Sequence, residues 1–195
     1  MMIRTLHYIF VFISTISISV GQSNFYDRLA DSTLTLTKQI VHYDATYFQI
    51  PYPNGDVPSN KGVCTDVIIR AYRKLGIDLQ KEVHLDIKSN FSSYPKNWGL
   101  SKPDKNIDHR RVPNLMTFFN RHGITKSITK NPKDFSPGDI VCWNLMGSVT
   151  HIGIVVKNKS ADGKRHLIVH NIGEGQVMED CLFDFKIIGH YRYEK

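Results

Sequence analysis

The chain has 195 residues, 41% of them hydrophobic, which is enough to bury the core of one compact domain. Its formal net charge is +7 at pH 7, which suits a soluble protein and also attraction to an acidic polymer. The basic residues form no stripe interleaved with aromatic residues, so we exclude nucleic acid as a partner.

Residues 1–21 are typical of a secretory signal peptide. One basic residue precedes an apolar run over 9–20, and Ser19 and Gly21 place small residues at −3 and −1 of a cleavage point. The run is shorter than the roughly 20 apolar residues that a spanning helix needs, although an uncleaved anchor is the alternative. We therefore expect cleavage near Gly21, a periplasmic or secreted protein without stable membrane insertion, and one monomeric domain over residues 22–195.

The first part of the mature chain predicts a helix, a short strand and a turn. Apolar residues recur among polar ones over 25–41, which favours a helix, although three threonines weaken that pattern. Tyr47 to Ile50 predict a short strand, and the segment 51–58 contains three prolines and a glycine, which is typical of turns.

Cys64 lies at the start of a second, amphipathic helix that Gly76 ends. Ser59 or Asn60 is the expected N-cap. A thiol at a helix N-terminus lies in the field of unpaired N–H groups, which favours the thiolate. Because Cys64 shares the inward face with Val67 and Ile68, a buried and inert thiol is the alternative.

The middle of the chain predicts an irregular segment followed by a helix. Residues 84–111 have no clear period, and a segment of that length in a compact domain is usually functional or has local structure. Val112 to His122 predict a helix with Pro113 in its first turn. The basic residues just before it suit a bound carboxylate, with a solvated basic turn as the alternative.

The last third predicts antiparallel strands at 140–143, 152–156, 166–170 and 187–193. Helices followed by consecutive strands indicate the α+β class. His151 and His170 lie on these strands, and a neutral imidazole near Cys64 would accept the thiol proton.

Three cysteines are an odd number for an exported protein. A disulfide between Cys142 and Cys181 would leave Cys64 as the free thiol. The alternative is that Cys142 and Cys181 are buried, unpaired side chains.

Two sets of motifs resemble known families. Ser136-Pro-Gly-Asp-Ile-Val141, Thr150-His-Ile-Gly-Ile-Val155 and Ile168-Val-His-Asn171 resemble the C-terminal half of NlpC-type, papain-like cysteine peptidases. More closely, the whole mature chain resembles the bacterial family of exported proteins called domain of unknown function number 1287. The stretches that carry this resemblance are 51–58, 62–73, 106–115, 170–173 and 189–193.

The resemblance implies a papain-like, NlpC-like fold in which the Cys-bearing helix packs on an antiparallel β-sheet. It also implies a triad of Cys64 as nucleophile, His151 as general base and acid, and His170 as the group that orients His151, with Asn171 as the alternative orienting residue. The implied activity is cleavage of amide bonds in peptidoglycan stem peptides through an acyl-enzyme, with no cofactor and no metal. A cell-wall-binding module without activity is one alternative, and a zinc protein using the same three residues is another.

The sequence departs from the NlpC pattern around the nucleophile. That family usually has Asp-Cys-Ser-Gly, whereas here Val63 precedes Cys64 and Asp66 follows it. Asp56 and Asp66 are candidates for binding the amino group of a stem peptide, or they are turn and helix-start residues. Arg110 is a candidate for binding a substrate carboxylate.

Overall fold

A computed structural model of the protein describes residues 24–195, so the predicted signal peptide lies outside the described residues. Within that range, no helix has the length and hydropathy needed to cross a bilayer. In chain order the elements are α1 (Phe25–Leu36), β1 (His42–Tyr43), β2 (Lys61–Gly62), α2 (Cys64–Arg73), α3 (Leu79–Ser89), α4 (Val112–His122), β3 (Ile124–Thr125), β4 (Ile140–Met146), β5 (Val149–Lys159), β6 (His166–His170), β7 (Val177–Glu179) and β8 (Lys186–Arg192).

The centre of the fold is a six-stranded antiparallel sheet in the order β3-β8-β4-β5-β6-β7. Helices α1 and α2 pack against β5, and a core that includes Ile68, Leu115 and Ile154 fills the space between helices and sheet. A second core around Trp143 and Ile168 covers the opposite face. The predicted α+β fold, with the Cys-bearing helix on an antiparallel sheet, is confirmed.

The start of α2 is fixed by a charged side chain of the helix itself. The N-cap is Val63 rather than the predicted Ser59 or Asn60, and its backbone N–H donates to Asp66 Oδ2 over 2.7 Å. The carboxylate at the third helical position thus satisfies the N–H of the N-cap, which is one half of a capping box. This contact lets the helix begin at Cys64 itself.

Two predicted boundaries in the first third are wrong. Helix α1 ends at Leu36 instead of continuing to 41. Near this end, the hydroxyls of Thr35 and Thr37 donate hydrogen bonds to carbonyls of the preceding helical turn. Residues Tyr47 to Ile50 form no strand: the Ile50 N–H donates to Asn106 Oδ1, and the Tyr47 hydroxyl donates to Asp104. Side chains of the loop around residues 104–106 therefore supply hydrogen-bond acceptors to this segment, which pairs with no neighbouring strand in the described part of the chain.

The segment 84–111 is less irregular than the sequence suggested, because its first residues belong to α3. Leu79, Val83 and Ile87 recur every fourth residue and are fully or almost fully buried. The predicted helix at Val112–His122 and the predicted strands are confirmed, with the strands one or more residues longer at several ends.

The three cysteines are free thiols. Cys142 packs with Ile152 in the core beneath the helices, whereas Cys181 belongs to the second core on the other face of the sheet. A disulfide between Cys142 and Cys181 is therefore not part of this structure.

Candidate active site

Cys64 opens onto a cleft of about 400 Å³, a volume within the range of small-ligand sites. The start of α2 forms one wall and the start of α4 forms the other. The residues that line the cleft are Tyr43, Ala45, Val63, Cys64, Trp98, Ile107, Arg110, Arg111, Val112, Pro113 and Thr150. The cleft thus collects side chains from five separate parts of the chain around the thiol.

The Cys64 thiol is protonated in the resting protein. It is 8% exposed, and burial raises its pKa to about 12, although backbone hydrogen bonds from Ile152, Thr65 and Cys64 itself act in the opposite direction. The N–H groups at the helix start lower the pKa as expected, but the loss of hydration outweighs them. A base must remove the proton for the sulfur to become a nucleophile.

Alkylation should report this protonation state. Because iodoacetamide reacts with the thiolate, its rate constant at Cys64 should rise about tenfold per pH unit from pH 7 to pH 10. Peptide mapping of the modified protein, with Cys64→Ala as control, assigns the adduct. A rate constant already level between pH 6 and pH 9 would contradict a buried neutral thiol.

His151 and His170 form a hydrogen-bonded pair on neighbouring strands. His151 Nε2 lies 2.8 Å from His170 Nδ1, and the two side chains are buried. Gly153 permits this approach, since a Cβ there would lie 2.6 Å from Ile168 Cγ2 and 3.2 Å from His170 Cβ. The glycine of the Thr-His-Ile-Gly motif therefore lets β6 bring His170 to the His151 ring.

Glu179 completes the pair and fixes its tautomers. Its Oε2 lies 2.8 Å from His170 Nε2. A carboxylate only accepts hydrogen bonds, so His170 Nε2 donates and a neutral His170 presents the lone pair of Nδ1. His151 Nε2 must then donate to it, which leaves the lone pair of His151 Nδ1 available as a base.

Both imidazoles are neutral near pH 7. Burial, followed by the charge of His170, lowers the pKa of His151 to about 3. Burial also lowers the pKa of His170, although Glu179 acts in the opposite direction. A neutral His151 has a lone pair to accept a proton, but a pKa this far below neutral makes it a weaker base than an exposed imidazole.

The thiol meets β5 beside His151 in sequence. One of the backbone hydrogen bonds that lower the pKa of Cys64 comes from Ile152, the residue directly after His151, whereas the cleft is lined by Thr150 and not by His151. Among residues 24–195, the hydrogen bond of the His151 ring goes to His170 and not to the sulfur. The structure therefore shows the pair of histidines, while the full Cys64-His151-His170 triad stays a prediction.

Asn171 does not contact the His151 ring. Its Nδ2 donates to the Gly62 carbonyl over 3.2 Å, and its Oδ1 accepts the Gly173 N–H. Asn171 thus ties the end of β6 to the residue before the α2 N-cap, while His170 holds the position of the orienting group.

The three predicted substrate-binding residues are engaged inside the protein. Arg110 Nε and Nη2 donate to the two carboxylate oxygens of Asp66 at 3.0 and 3.1 Å, and both side chains are almost fully buried. Asp56 accepts from Arg70 and Arg73 at 3.0 Å each. These ion pairs hold the segments around the thiol, and the predicted substrate contacts stay predictions.

Two residues at the site escaped the sequence analysis: Tyr43 and Glu179. Tyr43 pairs with Gly62 in the short parallel ladder of β1 and β2, and burial, with Cys64 nearby, raises its pKa. Neither residue has a local pattern to mark it, since the fold alone brings Tyr43 to the cleft and Glu179 to His170. Arg111, by contrast, belongs to the basic segment before α4 that the sequence indicates.

The side chains that could together bind one metal ion are not the Cys64, His151 and His170 of the zinc alternative. In residues 24–195, the ligand atoms of His170, Glu179 and Cys181 lie within 4.8 Å of one another. His170 Nε2 already bonds Glu179 at 2.8 Å and lies 3.6 Å from Cys181 Sγ. Cys64 and His151 do not belong to this group, so the geometry does not favour the triad as a zinc site.

The sequence and the fold place the protein among its relatives. The chain belongs to the family described as Domain of unknown function (DUF1287), whose sequence profile matches residues 30–193. The resemblance identified from the sequence motifs is confirmed.

A curated relative and a solved structure are similar to the chain. The uncharacterized protein YijF of Escherichia coli (strain K12) is 49% identical over 172 residues, covering 88% of this chain and 83% of that protein. The structure of NlpC1 from Trichomonas vaginalis matches with 14% identity and a TM-score of 0.48 over 90% of this chain. The match covers 46% of NlpC1, so the chain spans a little under half of that protein's length.

Proposed function

We propose that the protein is an exported cysteine hydrolase that cleaves amide bonds in the stem peptides of peptidoglycan. The observation that carries the proposal is the chain of contacts from His151 through His170 to Glu179, on the strand that also contacts the Cys64 thiol. This chain of contacts supports a neutral base held in one tautomer, on the strand whose backbone contacts a thiol at a helix start.

The first half of the reaction transfers the acyl group to sulfur. His151 Nδ1 takes the Cys64 proton as the sulfur attacks the scissile carbonyl carbon, and a tetrahedral oxyanion forms. The N–H groups of Cys64 and Thr65 at the start of α2 face the sulfur, so they lie where they can stabilise that oxygen. The C–N bond then breaks as protonated His151 gives its proton to the leaving amine, which leaves a thioester.

The second half releases the acid. His151 takes a proton from water as the water oxygen attacks the thioester carbonyl, and the C–S bond breaks. His151 returns the proton to the sulfur, which restores the thiol and the neutral imidazole. His170 and Glu179 act as positioning residues, because they keep the Nδ1 lone pair of His151 free throughout.

Three arguments support peptidoglycan as the substrate: the charge of the protein, its predicted export and its family resemblance. Without residues 1–21, which carry Arg4 as their one charged residue, the chain has a formal charge of +6 and is attracted to an acidic polymer, and the predicted export would bring it to peptidoglycan. The family resemblance supports the same substrate class. Export and the wall are parts of the proposal, together with the monomeric state.

Digestion of purified peptidoglycan tests the proposal. Wild type should release soluble peptide fragments with new amine and carboxyl ends, detected by mass spectrometry, and Cys64→Ala should release none. Cys64→Ala removes only the thiol group, so it also controls for folding. Release of the same fragments by both proteins would contradict Cys64 as the nucleophile.

The same experiment separates the binding module from the enzyme. If neither protein releases fragments but both sediment with the wall, the cleft binds without hydrolysis. If neither sediments and neither releases fragments, peptidoglycan is excluded as the partner.

A further inference from the structure

The cleft holds a guanidinium that no acidic side chain neutralises. In the part of the chain that the structure describes, the Arg111 side chain makes no hydrogen bond or ion pair, whereas the neighbouring Arg110 is fully engaged with Asp66. Arg111 instead lies over the indole of Trp98, with 4.2 Å between its Cζ and the ring centroid. Both side chains line the cleft that Cys64 opens onto.

We propose that Arg111, held by Trp98, binds a free carboxylate next to the scissile amide and so makes the enzyme selective for acidic peptides. The inference rests on the proposed function and names its substrate class. The proposal assigns the binding of a substrate carboxylate to Arg111 instead of Arg110, the candidate from the sequence.

The carboxylates near Arg111 are committed to other partners. Asp108 accepts from His84 and from the Asp104 N–H, while Asp104 accepts from the Tyr47 hydroxyl and the Asn106 N–H. Burial lowers the pKa of Arg111, and the charges of Asp108 and Asp104 act in the opposite direction. Neither carboxylate forms a hydrogen bond with the guanidinium. The donors of the guanidinium are therefore free for a ligand.

The position of Arg111 favours a planar anion as its ligand. Its Cζ lies over the indole ring, and a planar guanidinium offers paired N–H groups that bind a carboxylate with two parallel bonds. Less hydration in the cleft makes such a charged hydrogen bond stronger than at an open surface. A neutral amide in the same place has one acceptor oxygen instead of two, so it would leave some of these N–H donors without a hydrogen bond.

A matched pair of peptides tests the proposal. The probes are a synthetic γ-D-glutamyl peptide with a free α-carboxylate and the same peptide with an α-carboxamide. Wild type should cleave the carboxylate form with a kcat/KM about tenfold to a hundredfold higher, the range that one charged hydrogen bond provides. Arg111→Gln should reduce this ratio to near one.

Arg165→Gln is the matched control, because Arg165 is an arginine outside the cleft that pairs with Asp180. It should keep the wild-type ratio. Equal rates for the two peptides in wild type, or an unchanged ratio in Arg111→Gln, would overturn the proposal. Should Arg111→Gln fail to fold, Arg111→Lys replaces it, since a lysine lacks the flat double donor and should still lower the ratio.

Binding to Cys64→Ala separates this subsite from the hydrolytic activity. If wild type cleaves neither peptide, the proposed function fails, and calorimetry with Cys64→Ala decides the subsite alone. A dissociation constant at least tenfold lower for the carboxylate form supports Arg111 as its receptor. Equal dissociation constants, or no binding of either peptide, would overturn it.

Discussion

Replacing His170 with phenylalanine should lower kcat for peptide hydrolysis by about 10²- to 10⁴-fold, the usual contribution of a correctly placed general base. The side chain would still fill the buried site, but the His151 Nε2–H would lose its acceptor. His151 would then be free to rotate or to carry its proton on Nδ1, where it can no longer accept one from Cys64. KM should change little, because His170 does not line the cleft.

The conservative variant His170→Asn should restore most of kcat. An asparagine Oδ1 reaches about the position of the histidine Nδ1, so it can accept the His151 N–H in the same tautomer. Steady-state kinetics of the three proteins provide the measurement, with His166→Phe as a control on the same strand. Equal losses in His170→Phe and His170→Asn would indicate a packing role instead of a positioning role.

Replacing Arg110 with methionine should lower the free energy of unfolding by about 3–5 kcal/mol, because it leaves the buried Asp66 carboxylate without its partner. The Asp66 side chain is 4% exposed and that of Arg110 is 2% exposed, so water cannot replace the lost contact. The same pair joins the start of α2 to the segment before α4, the two walls of the cleft. Loss of the pair should therefore lower activity as well as stability.

Urea unfolding at pH 7 measures the effect, with Arg165→Met as the control for an exposed ion pair. The control should unfold near the wild-type urea concentration, since a solvated pair contributes little. The double variant Asp66→Asn/Arg110→Met should unfold closer to wild type than Arg110→Met does, because the unpaired charge is gone. An Arg110→Met protein as stable as the control would show that the pair does not hold the cleft walls together.

The strands and helix that carry their own patterns could be predicted from the sequence. Alternating and continuous apolar runs marked β4 to β6 and β8, and Pro113 with a following glycine marked both ends of α4. Leu79, Val83 and Ile87 carried an equally readable period. The helix they form was missed because the surrounding segment was read as irregular from residue 84 onward.

The site could be predicted only in part because its chemistry depends on contacts between distant segments. Motif order indicated Cys64, His151 and His170, but no spacing indicates that Glu179 would meet His170 across β6 and β7. The protonation state of Cys64 could not be predicted from the residues around it in the sequence either. The N–H groups at a helix start are visible in the sequence, whereas burial by packed neighbours is not.

The division of roles between Arg110 and Arg111 shows the same limit. Both residues lie in one basic segment, and nothing in that segment distinguishes the arginine that pairs inside the protein from the one that faces the cleft. Asp66 decides between them, because its helical position directs both oxygens toward Arg110. The pairing then leaves Arg111 for Trp98 and the cleft.

The most direct test of the central claim is the mass of the protein during peptidoglycan digestion. Wild type quenched in acid during turnover should contain a fraction heavier by one peptide acyl group, and fragmentation should place that group on Cys64. Cys64→Ala treated identically should keep its unmodified mass and release no fragments. Release of wall peptides by a wild-type protein that never acquires this mass, together with equal release by Cys64→Ala, would contradict a Cys64 acyl-enzyme.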